Sequence, residues 1–149
     1  MTIVTIDRSR PFNPAEFIGP GWTTEEQDEG SLLLTEIDLT KVRLETCLNS
    51  GEQYIKGEEK LRRLKLAGHI RLDAKVFQTL WENQELVPES WKEEKNRRTT
   101  SIFFVGTILL SPYGYRCVPY LYWRGAGWDW DRYSLGRVWN ANNPSAVLA

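Results

Sequence analysis

Thr99-Thr-Ser-Ile-Phe-Phe-Val-Gly-Thr-Ile-Leu-Leu110, Ser111-Pro-Tyr-Gly114 and, a little further on, Tyr120-Leu-Tyr-Trp-Arg-Gly-Ala-Gly-Trp-Asp-Trp-Asp131 are the segments that decide the fold class. The first run is dense in β-branched and aromatic residues, which suit a pleated, half-buried surface. Ser111 to Gly114 reads as a turn, with proline second and glycine fourth as type I turns favour. Tyr115 to Arg124 makes a second strand, Gly125-Ala-Gly127 a second turn, and Trp128 to about Leu135 a third strand. Gly136 and Val138-Trp139 begin either a fourth short strand or a closing loop. The spacing predicts an antiparallel meander of three or four strands over 99–139.

On a pleat, residues two apart share a face. Trp128, Trp130 and Arg132 then lie opposite Asp129, Asp131 and Tyr133. On the preceding strand, Val118, Tyr120 and Tyr122 oppose Cys117, Leu121 and Trp123. One face is thereby a wall of rings. Such walls stack on sugars or bases and anchor protein partners. The competing reading packs the wall on a helix inside the core. Tyr120, Tyr122, Trp123, Arg124, Trp128 and Trp130 are the expected partner-binding residues.

Working outward from the sheet, Asp73 reads as the N-cap of a helix over Ala74–Asn83, whose Val76, Phe77, Leu80 and Trp81 form one apolar stripe. Gly57 to Leu66 is a second helix, acids first and bases after, stopped at Gly68. Residues 31–49 fit either period, and Asp38 favours a helix beginning there. Thr23-Thr24-Glu25-Glu26-Gln27 carries a helix-start pattern. Pro11, Pro14, Gly19, Pro20 and Gly21 make 1–30 an irregular segment, pinned to the body by Phe12, Phe17, Ile18 and Trp22. Lys92–Arg98 reads as a solvated linker, and Asn140 onward as a coil tail. The expected whole is one α+β domain over 1–149, irregular in 1–30, mainly helical in 31–91, sheet in 99–139 and tail in 140–149.

The 149 residues are 41% hydrophobic and 26% charged, with a net charge of −1. That composition is globular, and no global field draws the chain to nucleic acid or anionic lipid. No run approaches the ~18 apolar residues of a bilayer span. The N-terminal residues lack the layout of a secretory signal, so a cytoplasmic location is expected. Cys47 and Cys117 are expected free and buried. One histidine, His69, makes a zinc site an unpromising reading, and no cofactor is expected.

Phosphate loops, dinucleotide fingerprints and nucleophile elbows are absent from the sequence. Asp129 and Asp131 could serve as a carboxylate pair in a small hydrolase. His69 with either cysteine offers a nucleophile–base dyad that no local signature supports. Arg62, Arg63, Lys65 and Arg71, on two short helices before a meander, are arranged like the parts of a winged helix that binds nucleic acid. The expected function is non-enzymatic, with no catalytic residue: a partner, more readily a protein than a sugar, held on the Trp/Tyr-rich sheet face.

Leu72-Asp-Ala-Lys-Val-Phe-Gln-Thr-Leu-Trp-Glu-Asn-Gln84, Pro88-Glu-Ser-Trp91, Ile102-Phe-Phe104, Gly106-Thr-Ile-Leu109, Ser111-Pro112, Leu121-Tyr-Trp123 and Asn143-Pro-Ser-Ala-Val-Leu-Ala149 together resemble a group of small uncharacterised bacterial proteins. The resemblance spans most of the chain and implies no activity, cofactor or site.

Overall fold

In the computed structural model, which describes residues 2–95 and 97–149, the apolar run from Thr99 forms two principal strands rather than one. In chain order the front half holds β1 (Ile3–Thr5), α1 (Pro14–Phe17), β2 (Thr23–Gln27), α2 (Glu29–Leu32), β3 (Glu36–Asp38), β4 (Arg43–Glu45), β5 (Tyr54–Lys56), α3 (Gly57–Ala67), β6 (Ile70–Arg71) and α4 (Ala74–Glu82). The back half holds β7 (Glu94–Lys95), β8 (Arg98–Thr99), β9 (Ser101–Phe103), β10 (Thr107–Leu110), β11 (Arg116–Trp123), β12 (Trp128–Ser134), β13 (Val138–Asn140) and β14 (Ser145–Leu148). The architecture is α+β. Among the described residues, no helix is long and apolar enough to cross a membrane.

The main sheet has eight strands, not three or four. β12 runs antiparallel along β11 from Cys117 to Trp123, as the hairpin reading expects. The opposite edge of β11 is shared: β9 pairs with Tyr120–Tyr122, and β10 with Arg116 and Cys117. Gly106 explains the break between β9 and β10. A Cβ there would stand 2.1 Å from the Arg71 carbonyl oxygen and 2.6 Å from the Leu72 carbonyl carbon, so only glycine lets these backbones meet. Its N–H donates to the Leu72 carbonyl at 2.9 Å, and its own carbonyl accepts from the Asp28 N–H at 2.7 Å. Beyond β10 lies β2. Beyond β9 lies β14, which also pairs antiparallel with β4 and β6.

Several expectations fall here. Thr23–Gln27 is a strand whose backbone pairs with β10, and Glu26 reaches Lys65 at 2.6 Å rather than closing a capping box. Residues 31–91 hold α3 and α4, with the short strands β3 to β6 lying among them. Asp38 does cap, but only the short 3-10 turn Leu39–Lys41, after which the chain extends into β4. The expected linker 92–98 contains a small hairpin, with Glu94 opposite Thr99; Asn96, within that stretch, lies outside the described residues. The expected tail carries β14, whose Ser145, Ala146 and Val147 are buried in the sheet. Strands of two to five residues have no room to display an alternation, and their partners are distant in sequence.

The core has two layers, one on each sheet face. Val76, Phe77 and Leu80 of α4 pack with Ile102, Phe104, Leu121, Trp128 and Ala146, joined by Phe12, Phe17 and Trp91. Leu61 and Leu64 of α3 pack with Phe103, Ile108, Val118, Trp139 and Val147 on the other face. The alternation of Ile102 with Phe103, and of Ala146 with Val147, sends neighbours to opposite layers.

Each layer also buries an ionisable group. Asp73 caps α4 through the Lys75 N–H at 3.1 Å. It also accepts from Arg8 at 2.8 and 3.1 Å and from the buried Ser31 hydroxyl at 2.5 Å. These bonds pin the N-terminal segment, as its rings suggest. Lys60 on α3, only 1% exposed, donates to the Asn143 carbonyl at 2.5 Å and sits 5.1 Å from the centre of the Trp139 ring.

Candidate binding groove

At one end of the β11–β12 hairpin the sheet face that carries the α4 layer is left uncovered. Cys117, Arg132 and Ser134 lie there on one face, with Cys117 directly opposite Ser134 and Pro119 opposite Arg132. Three loops raise walls around them and enclose a groove of about 670 Å³. Each wall is held by a local rule of backbone chemistry.

The first wall is Trp22. Gly21 before it has φ +88°, and a Cβ there would stand 2.9 Å from Pro112 Cγ, so glycine lets the chain lie on the proline. The second wall is the Ser111–Tyr115 turn. The Ser111 hydroxyl oxygen accepts from the Tyr113 and Tyr115 amides at 3.3 and 3.0 Å, and Gly114 supplies φ +86°. This tight turn leaves the Tyr113 ring 87% and the Tyr115 ring 62% exposed. The third wall is Ser134–Arg137. No side chain caps α3, and its Gly57 and Glu58 amides instead donate to the Arg137 and Leu135 carbonyls at 3.0 and 2.9 Å. A helix end thereby anchors the loop that carries Arg137.

The groove is rich in donors. The Arg132 guanidinium lies 5.4 Å from the Trp22 ring centre, and that of Arg137 lies 5.8 Å from Tyr133. Among the described residues, no Asp or Glu lines it. Burial pushes the Cys117 thiol up, away from the thiolate form.

The six residues expected to bind a partner do not form one surface. Trp128 is buried, and Trp130 packs on Phe17 and Phe77 with ring centres 4.8 and 6.1 Å apart. Trp123 meets Trp128 edge-on at 5.6 Å, and Lys92 Nζ lies 3.9 Å from its centre. These tryptophans belong to the α4 layer. Tyr120 and Tyr122 stand half-buried on the opposite face, where Tyr120 stacks on Phe103 at 4.6 Å. Burial pushes the Tyr120 hydroxyl up to about 12. Arg124 is exposed and pairs with Asp129 at 2.8 Å. Sequence reading missed Trp22, Tyr113, Tyr115 and Arg137. The two tyrosines flanking Gly114 in a turn were the available signal, since rings in such turns point outward.

Asp129 and Asp131 share a face but do different work from acid–base chemistry. Asp129 accepts from the Trp130 amide at 2.8 Å, and Asp131 from the Arg132 amide at 2.8 Å. The Trp128 amide is met by Gln84 at 3.1 Å. Each acid thus covers an amide on the edge of β12 that faces away from β11. The Trp130 amide and Arg124 hold Asp129 below the usual carboxylate range, the wrong direction for a general acid.

The four basic residues form no free cationic face. Arg62 is bound to Glu59, Arg63 to Glu52 and Glu59, and Lys65 to Glu26. Arg71 is buried, donating to the Val105 carbonyl at 2.9 Å with Asp28 at 3.5 Å. Cys47 is half-buried rather than buried, and both cysteines are free. Among the described residues, no three His, Cys, Asp or Glu side chains are placed to share a metal ion. Comparison with known proteins finds no matching family model, no similar curated protein and no similar solved structure.

Proposed function

We propose that the protein is a non-enzymatic binding protein that holds a protein partner in the groove between Trp22, the Ser111–Tyr115 turn and Arg137. The observation that carries this reading is the composition of the groove's wall. Two tyrosines, a tryptophan and two arginines converge on an open surface, and these are the residue types that dominate binding energy at protein interfaces. The rigid anchoring of all three walls lowers the ordering cost of association. The Trp128 and Trp130 rings support the site from within, by fixing the sheet on which Arg132 stands.

Site-specific photocrosslinking tests this. A benzophenone side chain at position 113 should capture a defined partner from an extract of the native cell. The same group at position 66, where Leu66 is 72% exposed on α3, should not. Equal capture at both positions, or none at 113, would overturn the groove as the binding surface.

A further inference from the structure

We infer that the groove selects an acidic linear segment of its partner, with Arg132 and Arg137 receiving carboxylates while Trp22 and Tyr113 take the neighbouring apolar side chains. This deepens the binding reading above and rests on it. Three observations specify an acidic occupant.

Charge comes first. Arg132 and Arg137 both border the groove, and among the described residues no carboxylate lines it. Arg137 makes no ion pair among the described residues, and its guanidinium meets the Tyr133 ring alone. Among the described residues, the single ion-pair competitor for Arg132 is Asp131 at 3.2 Å, with both side chains nearly half exposed. A pair in that setting is weak, and an incoming carboxylate can replace it.

Geometry comes second. Both guanidinium groups lie over rings, Arg132 over Trp22 and Arg137 over Tyr133. A ring contact at 5.4 or 5.8 Å takes up no N–H donor. Among the described residues the one side-chain hydrogen bond made by either fork is that of Arg132 to Asp131 at 3.2 Å, so the remaining donors are free. Those donors match the two oxygens of a carboxylate. The rings also fix the long arginine stems before binding, which reduces the entropy lost when a ligand arrives.

The third observation separates a peptide from nucleic acid. Arg116, next to Cys117 on β11, is held by Glu25 and by Glu58 at 3.0 Å. That neighbouring cation is already paired and adds no phosphate contact. Arg62, Arg63, Lys65 and Arg71 are occupied by carboxylates and offer no onward track. Two isolated cations suit two side-chain carboxylates rather than a line of phosphates.

The test uses the full chain and a blocked, fluorescein-labelled peptide of sequence Glu-Leu-Glu-Tyr-Glu-Leu, read by fluorescence polarisation. The Gln-for-Glu counterpart, oligothymidylate and AMP are the comparison probes. The acidic peptide should bind about tenfold or more tightly than the Gln peptide, the effect of losing one or two charge-assisted hydrogen bonds. Raising salt should weaken only the acidic peptide, and Arg137→Gln should remove most of its advantage. Arg132→Gln should do the same. If that variant melts early because Trp22 loses its cover, Arg137→Gln decides alone, since that side chain is exposed and touches one ring. Equal affinity for the two peptides, an unchanged Arg137→Gln, or tighter binding of oligothymidylate or AMP would each overturn the acidic assignment. If position 113 still crosslinks a partner while the Glu and Gln peptides bind alike, the groove stands and its charge preference falls. If no peptide binds and position 113 captures nothing, the groove itself falls.

Discussion

Among the described residues, Asp73 and Lys60 are the two most deeply buried ionisable side chains, one at the start of α4 and one on α3, and the sheet keeps them apart. Burial opposes charge on both. For Asp73 it pushes the carboxyl up, but the hydrogen bonds from Arg8 and Ser31 outweigh it and hold the group below its ordinary value. For Lys60 burial wins: the ammonium is pushed down to about 7, although Cys47 and Glu45 pull the other way. The difference is the number and charge of the partners. A guanidinium fork, a hydroxyl and an amide surround Asp73, while one carbonyl and one ring face Lys60. A buried charge survives where several donors converge and titrates where one acceptor must serve.

The contrast between the layers can be broken most forcefully in the α4 core. Phe77 is fully buried against Phe17, Phe104 and Trp130. Phe77→Ala should cost about 3–5 kcal/mol in urea denaturation, whereas Tyr122→Ala, on the half-covered face, should cost about 1 kcal/mol or less. Comparable losses would show that the α3 face is as tightly closed as the α4 face.

Arg8→Met tests the answered charge. It leaves Asp73 buried without its cation, which should destabilise the fold by about 3 kcal/mol at pH 7. Asp73 has a folded pKa below its unfolded value, so its contribution is present above the unfolded pKa and is lost as pH falls through the folded one. Wild-type stability should therefore drop in acid below about pH 4, near the ordinary carboxylate pKa. Arg8→Met should flatten that acid limb. An unchanged limb would mean that Arg8 does not hold the charge.

Lys60→Met tests the unanswered charge through the pH dependence of stability rather than through its value at a single pH. The folded pKa of about 7 lies below the ordinary 10.5, so the unfolded chain binds the extra proton between those values. The penalty is then complete below pH 7 and is relieved as pH rises toward 10. Wild-type stability should climb over that window relative to Lys60→Met, by about 1.4 kcal/mol per pH unit at most. Parallel curves would show that Lys60 stays charged on its carbonyl and ring.

Much of this was legible where an element was long or its cap chemically distinct. The Asp73 cap, the α4 stripe, the turn at Ser111 and the face alternation of the β11–β12 hairpin all appear as the spacing predicts. The even split of rings between faces also followed from pairing alone. What the sequence could not show was which face the chain would cover, because Phe17 and Phe77 reach Trp130 from segments far away. The short strands β4, β6 and β14 were hidden for a related reason: each is defined by its neighbours' hydrogen bonds more than by its own residues. The groove joins Trp22 to Arg132 and Arg137, so no local pattern could announce it.

The row formed by Gln84, Asp129 and Asp131 along the outer side of β12 has a consequence for crowded solutions. A seven-residue strand at the rim of a sheet would otherwise present the Trp128, Trp130 and Arg132 amides as a template for a foreign strand. With those donors already engaged and two ion-paired carboxylates set beside them, an approaching chain finds no free amide at these three positions. The acids that looked like reaction chemistry in the sequence instead occupy edge amides of β12, and a strand so occupied is a poorer template for fibre growth.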